Sequence, residues 1–217
     1  MNPFQTDFEE QSLQTLYRKM KKTAMARFNS AERLRRHQTF TLWTLSLFSA
    51  GLIVLSAIPS FGIQVEANEE TYTFLQFILS LFVLVISLLL ASSNYAHKAE
   101  KTHRCALEIN DLCHEILPKC KENLDDDLYH TTRFKYSNVL NSYDNHEDLD
   151  FDLVKIQLPE EYSLTKKQKI FIKLKYWLTF WIHALLILIL LSVFFTVFIK
   201  KEESNQAAHT TPASAPR

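Results

Sequence analysis

The densest group of chemistry-capable side chains lies between residues 143 and 151, where Asn145, His146 and Asp150 form an Asn-His-x-x-x-Asp pattern. Such groups could serve a hydrolase, but hydrolysis also needs an activated nucleophile and a domain that encloses the substrate. No Ser or Cys stands in an identifiable nucleophile elbow. An Asx-turn beside a capped helix accounts for Asp144 and Asn145. The pattern therefore favours a structural or ligand-sensing role and indicates no catalytic residue.

Three cysteines lie within sixteen residues, and three histidines lie near them in the sequence. Zinc ligands usually come in tight pairs such as Cys-x-x-Cys, whereas Cys105, Cys113 and Cys120 are eight and seven residues apart. This spacing predicts buried thiols on a helical seam and no metal. The chain has only two glycines, Gly51 and Gly62, so neither a P-loop nor a dinucleotide-binding loop can be formed. No cofactor is indicated.

Polar side chains also occur inside the most apolar parts of the chain. In one segment they recur near heptad spacing, and such a stripe should face protein or water rather than lipid. It predicts either helix packing or the lining of a pore formed by several copies, and the stripe comprises Gln76, Ser80, Ser87 and Asn94, with Ser49 and Ser56 in the preceding segment. His183 is an intramembrane ionisable group, which is a functional candidate or a neutral, hydrogen-bonded side chain.

Three long apolar segments must position these residues. Each reaches the roughly 20 residues that a helix needs to cross a bilayer. The fold class predicted is an all-α membrane protein, in which a hairpin of two transmembrane helices extends into the cytoplasm and a third transmembrane helix follows. The predicted divisions are an N-terminal cytoplasmic amphipathic helix (1–39), a first span (40–63), a short extracytoplasmic loop (64–71), a second span (72–94), a cytoplasmic helical and acidic, Tyr-rich segment (95–175), a third span (176–200) and a disordered tail (201–217).

Lysine and arginine near the span ends predict the orientation. Basic residues precede the first span, follow the second and precede the third, whereas the loop 64–71 is acidic. The N-terminus and the segment 95–175 are therefore expected in the cytoplasm of a multi-pass protein. Lys200 and Lys201 weaken the assignment of the C-terminus to the outside. The basic runs fit anionic lipid headgroups better than nucleic acid.

Apolar side chains at intervals of three and four predict amphipathic helices over 12–38 and 96–117. No glycine or proline separates either helix from its neighbouring span, so long continuous rods are expected. Tyr129, Tyr136 and Tyr143 recur at intervals of seven, which places them on one side of a helix from about 128 to 143.

The arrangement resembles the SLATT family of small bacterial membrane proteins, in the subfamily with an additional C-terminal transmembrane helix. The residues that carry the resemblance are Ala31 to Leu34, Asn94-Tyr95-Ala96 with His103, and the stretch from Tyr136 to Phe151, which contains Tyr143, Asn145, His146 and Asp150. The resemblance implies an effector, encoded beside nucleotide-signalling or reverse-transcriptase defence genes, that disrupts the inner membrane when an associated sensor fires.

The first hypothesis is a non-enzymatic inner-membrane effector of abortive infection that oligomerises and forms a pore. Its expected partners are the lipid bilayer, further copies of the chain, and a cytosolic sensor protein or a nucleotide signal from an associated nucleotidyltransferase or reverse transcriptase, with no direct nucleic-acid contact. The alternative is a membrane-anchored interaction protein without pore activity. A membrane-embedded enzyme ranks third, because His183 is the one acidic or imidazole side chain within the spans.

Overall fold

A computed structural model describes residues 13–61, 69–121, 126–145, 147–193 and 195. Within these ranges the chain is helical and contains no strand, which confirms the all-α prediction. His146, most of the predicted loop 64–71 and the predicted tail 201–217 lie outside the described residues. The helices are α1 (Leu13–Ala57), α2 (Glu69–Ser93), α3 (Tyr95–Ile116), α4 (Asp126–Asn141), α5 (Asp148–Gln157), α6 (Lys166–Leu178) and α7 (Trp181–Val193).

Helix α1 joins the predicted amphipathic helix and the predicted first span into one element of 45 residues. The expected single rod is therefore confirmed. Gly51 lies inside the helix in a buried position, and Pro59 lies in the 3-10 turn Ile58–Phe61 that follows. Proline cannot donate a backbone hydrogen bond to continue an α-helix, which fits the end of α1 at Ala57.

The join between α2 and α3 differs from the uninterrupted rod predicted there. Asn94 has φ of 50° and ψ of 36°, a left-handed conformation that ends one helix and begins the next without a loop. Asparagine tolerates this region better than other residues with a Cβ. The stripe residue Asn94 is therefore a backbone joint.

The chain divides into two compact units. Unit 1 comprises the chain up to Gln38 together with Asn94–Thr179. Its core lies between α1, α3 and α4, because each helix turns its apolar stripe toward the other two. The buried core side chains are Leu13, Leu16, Met20 and Ala24 from α1, Cys105, Ile109, Cys113 and Ile116 from α3, and Tyr129 and Tyr136 from α4.

Unit 2 comprises Thr39–Ser93 and the chain from Phe180 onward. Its core is formed by Phe48 and Leu55 of α1, Tyr72 and Leu79 of α2, and Leu190 of α7. The remaining apolar side chains of these helices are largely exposed in the single chain. A helix with apolar residues all round is typical of a membrane span.

Two helical stretches, Leu13–Phe61 and Glu69–Cys120, the second with its joint at Asn94, are long and apolar enough to cross a membrane. A third span is reached when α6 and α7 are taken together as one broken element. The predicted third span 176–200 does not begin as a new helix at residue 176. Its first three residues belong to α6, and the helix is interrupted at Thr179 and Phe180 before α7 begins.

Candidate functional site

The Asn-His-x-x-x-Asp segment leads directly into α5, and its last residue is part of a cap. Glu147 is the N-cap of α5 and Asp150 is the third helical residue. The Glu147 backbone N–H donates to Asp150 Oδ2 at 3.2 Å, and the Glu147 side chain in turn accepts from the backbone of Asp150. This reciprocal capping box satisfies donors that a helix start otherwise leaves open.

Arg33 of α1 meets the same carboxylate. Its Nε donates to Asp150 Oδ1 at 2.9 Å and its Nη2 donates to Asp150 Oδ2 at 3.1 Å. Glu147 Oε1 lies 2.9 Å from Arg33 Nη2. Asp150 is 0% exposed and Arg33 is 6% exposed, so this bidentate ion pair is buried. We call the pair, with its capping residue Glu147, the Arg33 clamp.

Two amides extend the Arg33 clamp along α1 and α5. Asn29 Nδ2 donates to the Asp150 carbonyl oxygen at 3.1 Å, and Gln157 Nε2 donates to Asn29 Oδ1 at 3.0 Å. Asn29 and Arg33 are four residues apart and therefore share one face of α1. Helix α5 is thus bonded to α1 from its first turn to its last residue.

The charges of the Arg33 clamp are matched. Burial opposes the positive charge of Arg33, but hydrogen bonding and attraction from Asp150, and then from Glu147, outweigh it and raise the guanidinium pKa above its ordinary value. A buried pair of this kind adds little net stability over apolar packing, yet removing one partner leaves an uncompensated charge. The clamp therefore favours one arrangement of α1 and α5 over others.

Two of the family-motif tyrosines bind neighbouring helices. The Tyr136 hydroxyl lies 2.9 Å from the Thr23 hydroxyl of α1, and burial raises the pKa of Tyr136. The Tyr143 hydroxyl donates to Glu108 Oε1 of α3 at 2.5 Å, and this bond raises the pKa of Tyr143 to about 12. Both phenols thus remain protonated at neutral pH and fasten the end of α4 to the unit 1 core.

The structure brings most of the predicted sensing residues into unit 1. Tyr136, Tyr143 and Asp150 each contact another helix, whereas the Asn145 side chain is exposed. The sequence argument missed Arg33 as the partner of Asp150, although the Ala31 to Leu34 motif contains it. Arg33 lies outside the apolar stripe of α1, so the spacing of apolar residues gave no signal for this pair.

One further buried cation lies on α1. Arg27 is 2% exposed, and its Nε and Nη1 have no hydrogen-bond partner in the part of the chain that the structure describes. Its positive charge lowers the pKa of Tyr136 and of Cys105, although burial has the larger effect and raises both. Buried donors without partners carry a desolvation penalty.

The polar stripe of unit 2 behaves differently from the polar groups of unit 1. Ser49 donates to the Leu45 carbonyl, Ser56 to Leu52, Ser80 to Phe77 and Ser87 to Val83, all on their own helices. Ser56 and Ser80 are exposed, and Gln76, Ser49 and Ser87 are half-buried. The stripe therefore flanks the face formed by Tyr72, Leu79 and Ile86, which packs within the chain.

His183 has a polar neighbour inside unit 2. Its Nε2 lies 3.0 Å from the Thr41 hydroxyl of α1, and its ring lies beside Phe40. The sequence allows two interpretations of His183, and this environment agrees with the one of a hydrogen-bonded side chain. It fastens α7 to α1 near one end of the apolar segment.

The described residues contain no group of three or more His, Cys, Asp or Glu side chains that could hold a metal ion. Cys105 and Cys113 are buried free thiols, and Cys120 is half-buried. Burial raises the pKa of all three and takes that of Cys113 to about 11. A protonated thiol is a poor nucleophile and a poor metal ligand.

The fold and the site define a helical protein with two helices long and apolar enough to cross a membrane and with a buried ion pair between α1 and α5. Comparison with protein families matches residues 9–198 to the SMODS and SLOG-associating 2TM effector domain family 5. The chain belongs to this SLATT family, which confirms the resemblance seen in the sequence. The family name places it among two-transmembrane effector domains. No curated protein and no solved structure matches the chain.

Proposed function

We propose that the chain is a non-enzymatic effector of a bacterial antiphage system, which assembles in the inner membrane and permeabilises it when triggered from the cytoplasm. The observation that carries the proposal is that Arg33 lies on the same unbroken helix as the apolar unit 2 residues Phe48 and Leu55. A change at the Arg33 clamp therefore acts on an element that is itself part of the membrane hairpin.

Incomplete coverage of the second apolar helix supports assembly. In the single chain only 11% of its most apolar window is buried. Lipid can cover the apolar remainder, but it offers no partner to Gln76 or to the hydroxyls of the stripe beyond their own helix. If several copies assemble with the stripe facing inward, these polar groups can form hydrogen bonds with water or with the same groups of neighbouring copies.

The hydrogen bonding of the stripe also supports rearrangement. Because Ser80 and Ser87 bond to their own helix, α2 can rotate or slide without breaking a bond to α1 at these positions. A ligand or partner that binds unit 1 differently in two states would shift the population between packed and open arrangements. We place that contact at the segment from Asn145 to Asp150.

The direct test follows membrane potential. Cells that carry the chain with its native neighbouring genes are challenged with phage in the presence of a potential-sensitive dye. We expect depolarisation before lysis for the wild type and none for the triple variant Gln76→Leu, Ser80→Leu, Ser87→Leu. Ser46→Leu, at an exposed hydroxyl outside the stripe, is the matched control and should depolarise normally.

Unchanged potential and normal growth of challenged wild-type cells would reject the pore. The scaffold alternative makes the opposite prediction for the triple variant. A membrane anchor should keep its protection against phage and its bound cytosolic partner after the stripe is replaced by leucine.

A further inference from the structure

Helix α6 has an apolar face directed away from its own unit. Lys169, Ile172 and Tyr176 are spaced three and four residues apart and are the buried or half-buried positions, so they face the protein. Five large side chains on the other side are exposed. They fall within an arc of about 120° at 3.6 residues per turn, and they are Ile170, Phe171, Leu174, Trp177 and Leu178, which we call the α6 apolar face.

Lysines border this face. Helix α6 contains five lysines and no acidic residue, at positions 166, 167, 169, 173 and 175. Lys166 and Lys173 lie along one edge of the α6 apolar face and Lys175 lies along the other, while Lys167 lies at the N-terminal end of the face, in the first turn of α6. An apolar arc bordered by lysines, with a tryptophan among its members, is typical of a helix that lies in the membrane interface.

We propose that α6 lies in the plane of the membrane interface, with the α6 apolar face in the acyl-chain boundary and its lysines on anionic lipid headgroups. The break at Thr179 and Phe180 fits this assignment, because it ends α6 before the apolar helix α7 begins. The Thr179 hydroxyl donates to the Tyr176 carbonyl at 2.7 Å and so satisfies one acceptor at the end of α6. The inference holds whether or not the chain forms a pore.

Charge decides between lipid and a second copy as the occupant of the face. Two copies packed through the α6 apolar face would bring together the exposed lysines at both copies of the face, with no acidic residue on either helix. An anionic lipid surface instead supplies the opposite charge and an apolar layer at once. Of the acidic residues on α5, Asp152 meets α6, and it lies between Lys155 at 2.7 Å and Lys175 at 3.9 Å.

The contact has a consequence for unit 1. Asp152 is two residues from Asp150, so α5 carries the Arg33 clamp and a contact to α6 within one turn. A membrane-bound α6 would hold α5, and with it the clamp, at the bilayer surface. The negative headgroups would then help to hold α5 in position, because they hold α6 and α6 contacts α5.

Tryptophan fluorescence of the full-length chain in vesicles tests the placement. Replacing Trp43 and Trp181, both exposed, by Phe leaves Trp177 as the single tryptophan. In phosphatidylcholine vesicles that contain phosphatidylglycerol, a nitroxide near the headgroups should quench Trp177 more strongly than a nitroxide deep in the acyl chains. Acrylamide should quench it several-fold less than a single tryptophan placed at Phe134, an exposed apolar position on α4.

Three results would overturn the placement. Trp177 could be as open to acrylamide as the reporter at position 134, which would put α6 in water. Stronger quenching by the deep nitroxide would make α6 part of a transmembrane span. Shielding from acrylamide without quenching by either nitroxide would show that a second copy covers the face.

The lysines are tested by the variant Lys166→Gln, Lys167→Gln, Lys173→Gln, which removes three exposed lysines at the α6 apolar face. Quenching of Trp177 by nitroxide-labelled phosphatidylglycerol should exceed that by nitroxide-labelled phosphatidylcholine, and this preference should fall by about fivefold for each lysine removed. The control Lys19→Gln, Lys21→Gln, Lys119→Gln removes three exposed lysines of unit 1 outside α6 and should keep the preference. An equal loss in both variants, or none in either, would contradict a role for α6 lysines.

Discussion

Polar side chains are bonded from helix to helix in unit 1, whereas the serine hydroxyls of the polar stripe in unit 2 are bonded to their own helices. Arg33 pairs with Asp150 across 117 positions of sequence, and Tyr136 meets Thr23 across 113. In unit 2, Ser49 and Ser87 reach only the carbonyl four residues earlier. Directional bonds between elements specify one arrangement, while apolar contacts tolerate several.

Among the described residues of unit 2, two polar contacts join different helices near the start of α2 and the start of α7. The Tyr72 hydroxyl at the start of α2 donates to the Leu55 carbonyl, and Thr41 meets His183. Between these points α1 and α2 touch through side chains such as Phe48 and Leu79. The proposed effector would need this difference, because it has to keep one arrangement until it is triggered and then adopt another in lipid.

The largest effect is expected when the Arg33 clamp loses its carboxylate. Asp150→Ala leaves a buried guanidinium without its partner, so we expect unit 1 to lose about 3–5 kcal/mol of stability. Glu147→Ala removes the partner whose side chain is 67% exposed and should cost about 1 kcal/mol or less. Thermal unfolding in detergent, followed by circular dichroism, gives both values; equal losses would refute the special role of Asp150.

The reactivity of the cysteines tests whether reagents in solution can reach the unit 1 core. Burial raises the pKa of Cys113 from an ordinary value near 9 to about 11, so its thiolate fraction at pH 8 is about 100-fold lower than for an ordinary thiol. The folded state favours the protonated thiol; this contribution to stability is complete below pH 9 and is lost as pH rises through about 11. Iodoacetamide labelling read by mass spectrometry should modify half-buried Cys120 well before Cys113.

The same labelling in denaturant provides the control, since both thiols should then react at similar rates. Equal rates in the folded protein would mean that α3 and α4 separate readily, and unit 1 would then be no better specified than unit 2.

Replacing Arg27 is expected to change the stability of unit 1 in the opposite direction from replacing Arg33. Because two of its buried donors have no partner among the described residues, Arg27→Met should raise the stability of unit 1 by about 1–3 kcal/mol. The matched change Arg33→Met removes a guanidinium that has partners and should lower stability. Chemical denaturation of the two variants separates these expectations, and a loss of stability in Arg27→Met would show that its donors are satisfied.

The joint at Asn94 should respond to backbone chemistry alone. Its side chain is exposed, but its left-handed conformation penalises a β-branched residue, so Asn94→Val is expected to cost about 1–2 kcal/mol. Asn94→Gly should cost about 0.5 kcal/mol or less, since glycine adopts this conformation freely. Comparable losses in thermal unfolding for both variants would indicate that the side chain, not the backbone, is required.

The smallest effects distinguish a cross-helix hydroxyl from one that bonds to its own helix. Tyr136→Phe removes a buried bond to Thr23 and should cost about 1 kcal/mol. Ser87→Ala gives up a bond within α2 and should change stability by about 0.5 kcal/mol or less. Reversal of this order in matched unfolding curves would remove the distinction between the two units.

Periodicity in the sequence was sufficient to predict the unit 1 part of α1, the helices α3 and α4, and most of the unit 1 core. Apolar intervals of three and four identified Leu16, Met20 and Ile109, and the seven-residue spacing of the tyrosines placed Tyr129 and Tyr136 on one buried face. The two long span-capable helices followed from length and composition. These features are local, so a single sequence contains them.

The joints and the clamp could not be predicted in the same way. No glycine or proline marks Asn94 or the break at Thr179 and Phe180, so both followed only from the structure. Asp150 was singled out by the family motif, but its partner Arg33 depends on how α5 packs on α1. Pairing across more than a hundred residues is a tertiary property, which residue spacing does not encode.

The central claim is that the Arg33 clamp restrains a membrane hairpin that is otherwise free to rearrange. It is tested most directly by expressing Asp150→Asn, which keeps the shape of the side chain but removes its charge, and by following membrane potential without phage. The account predicts depolarisation by Asp150→Asn and an unchanged potential for wild type and Glu147→Ala at equal amounts of membrane-inserted protein. A folded, membrane-inserted Asp150→Asn protein that leaves the potential unchanged would contradict it.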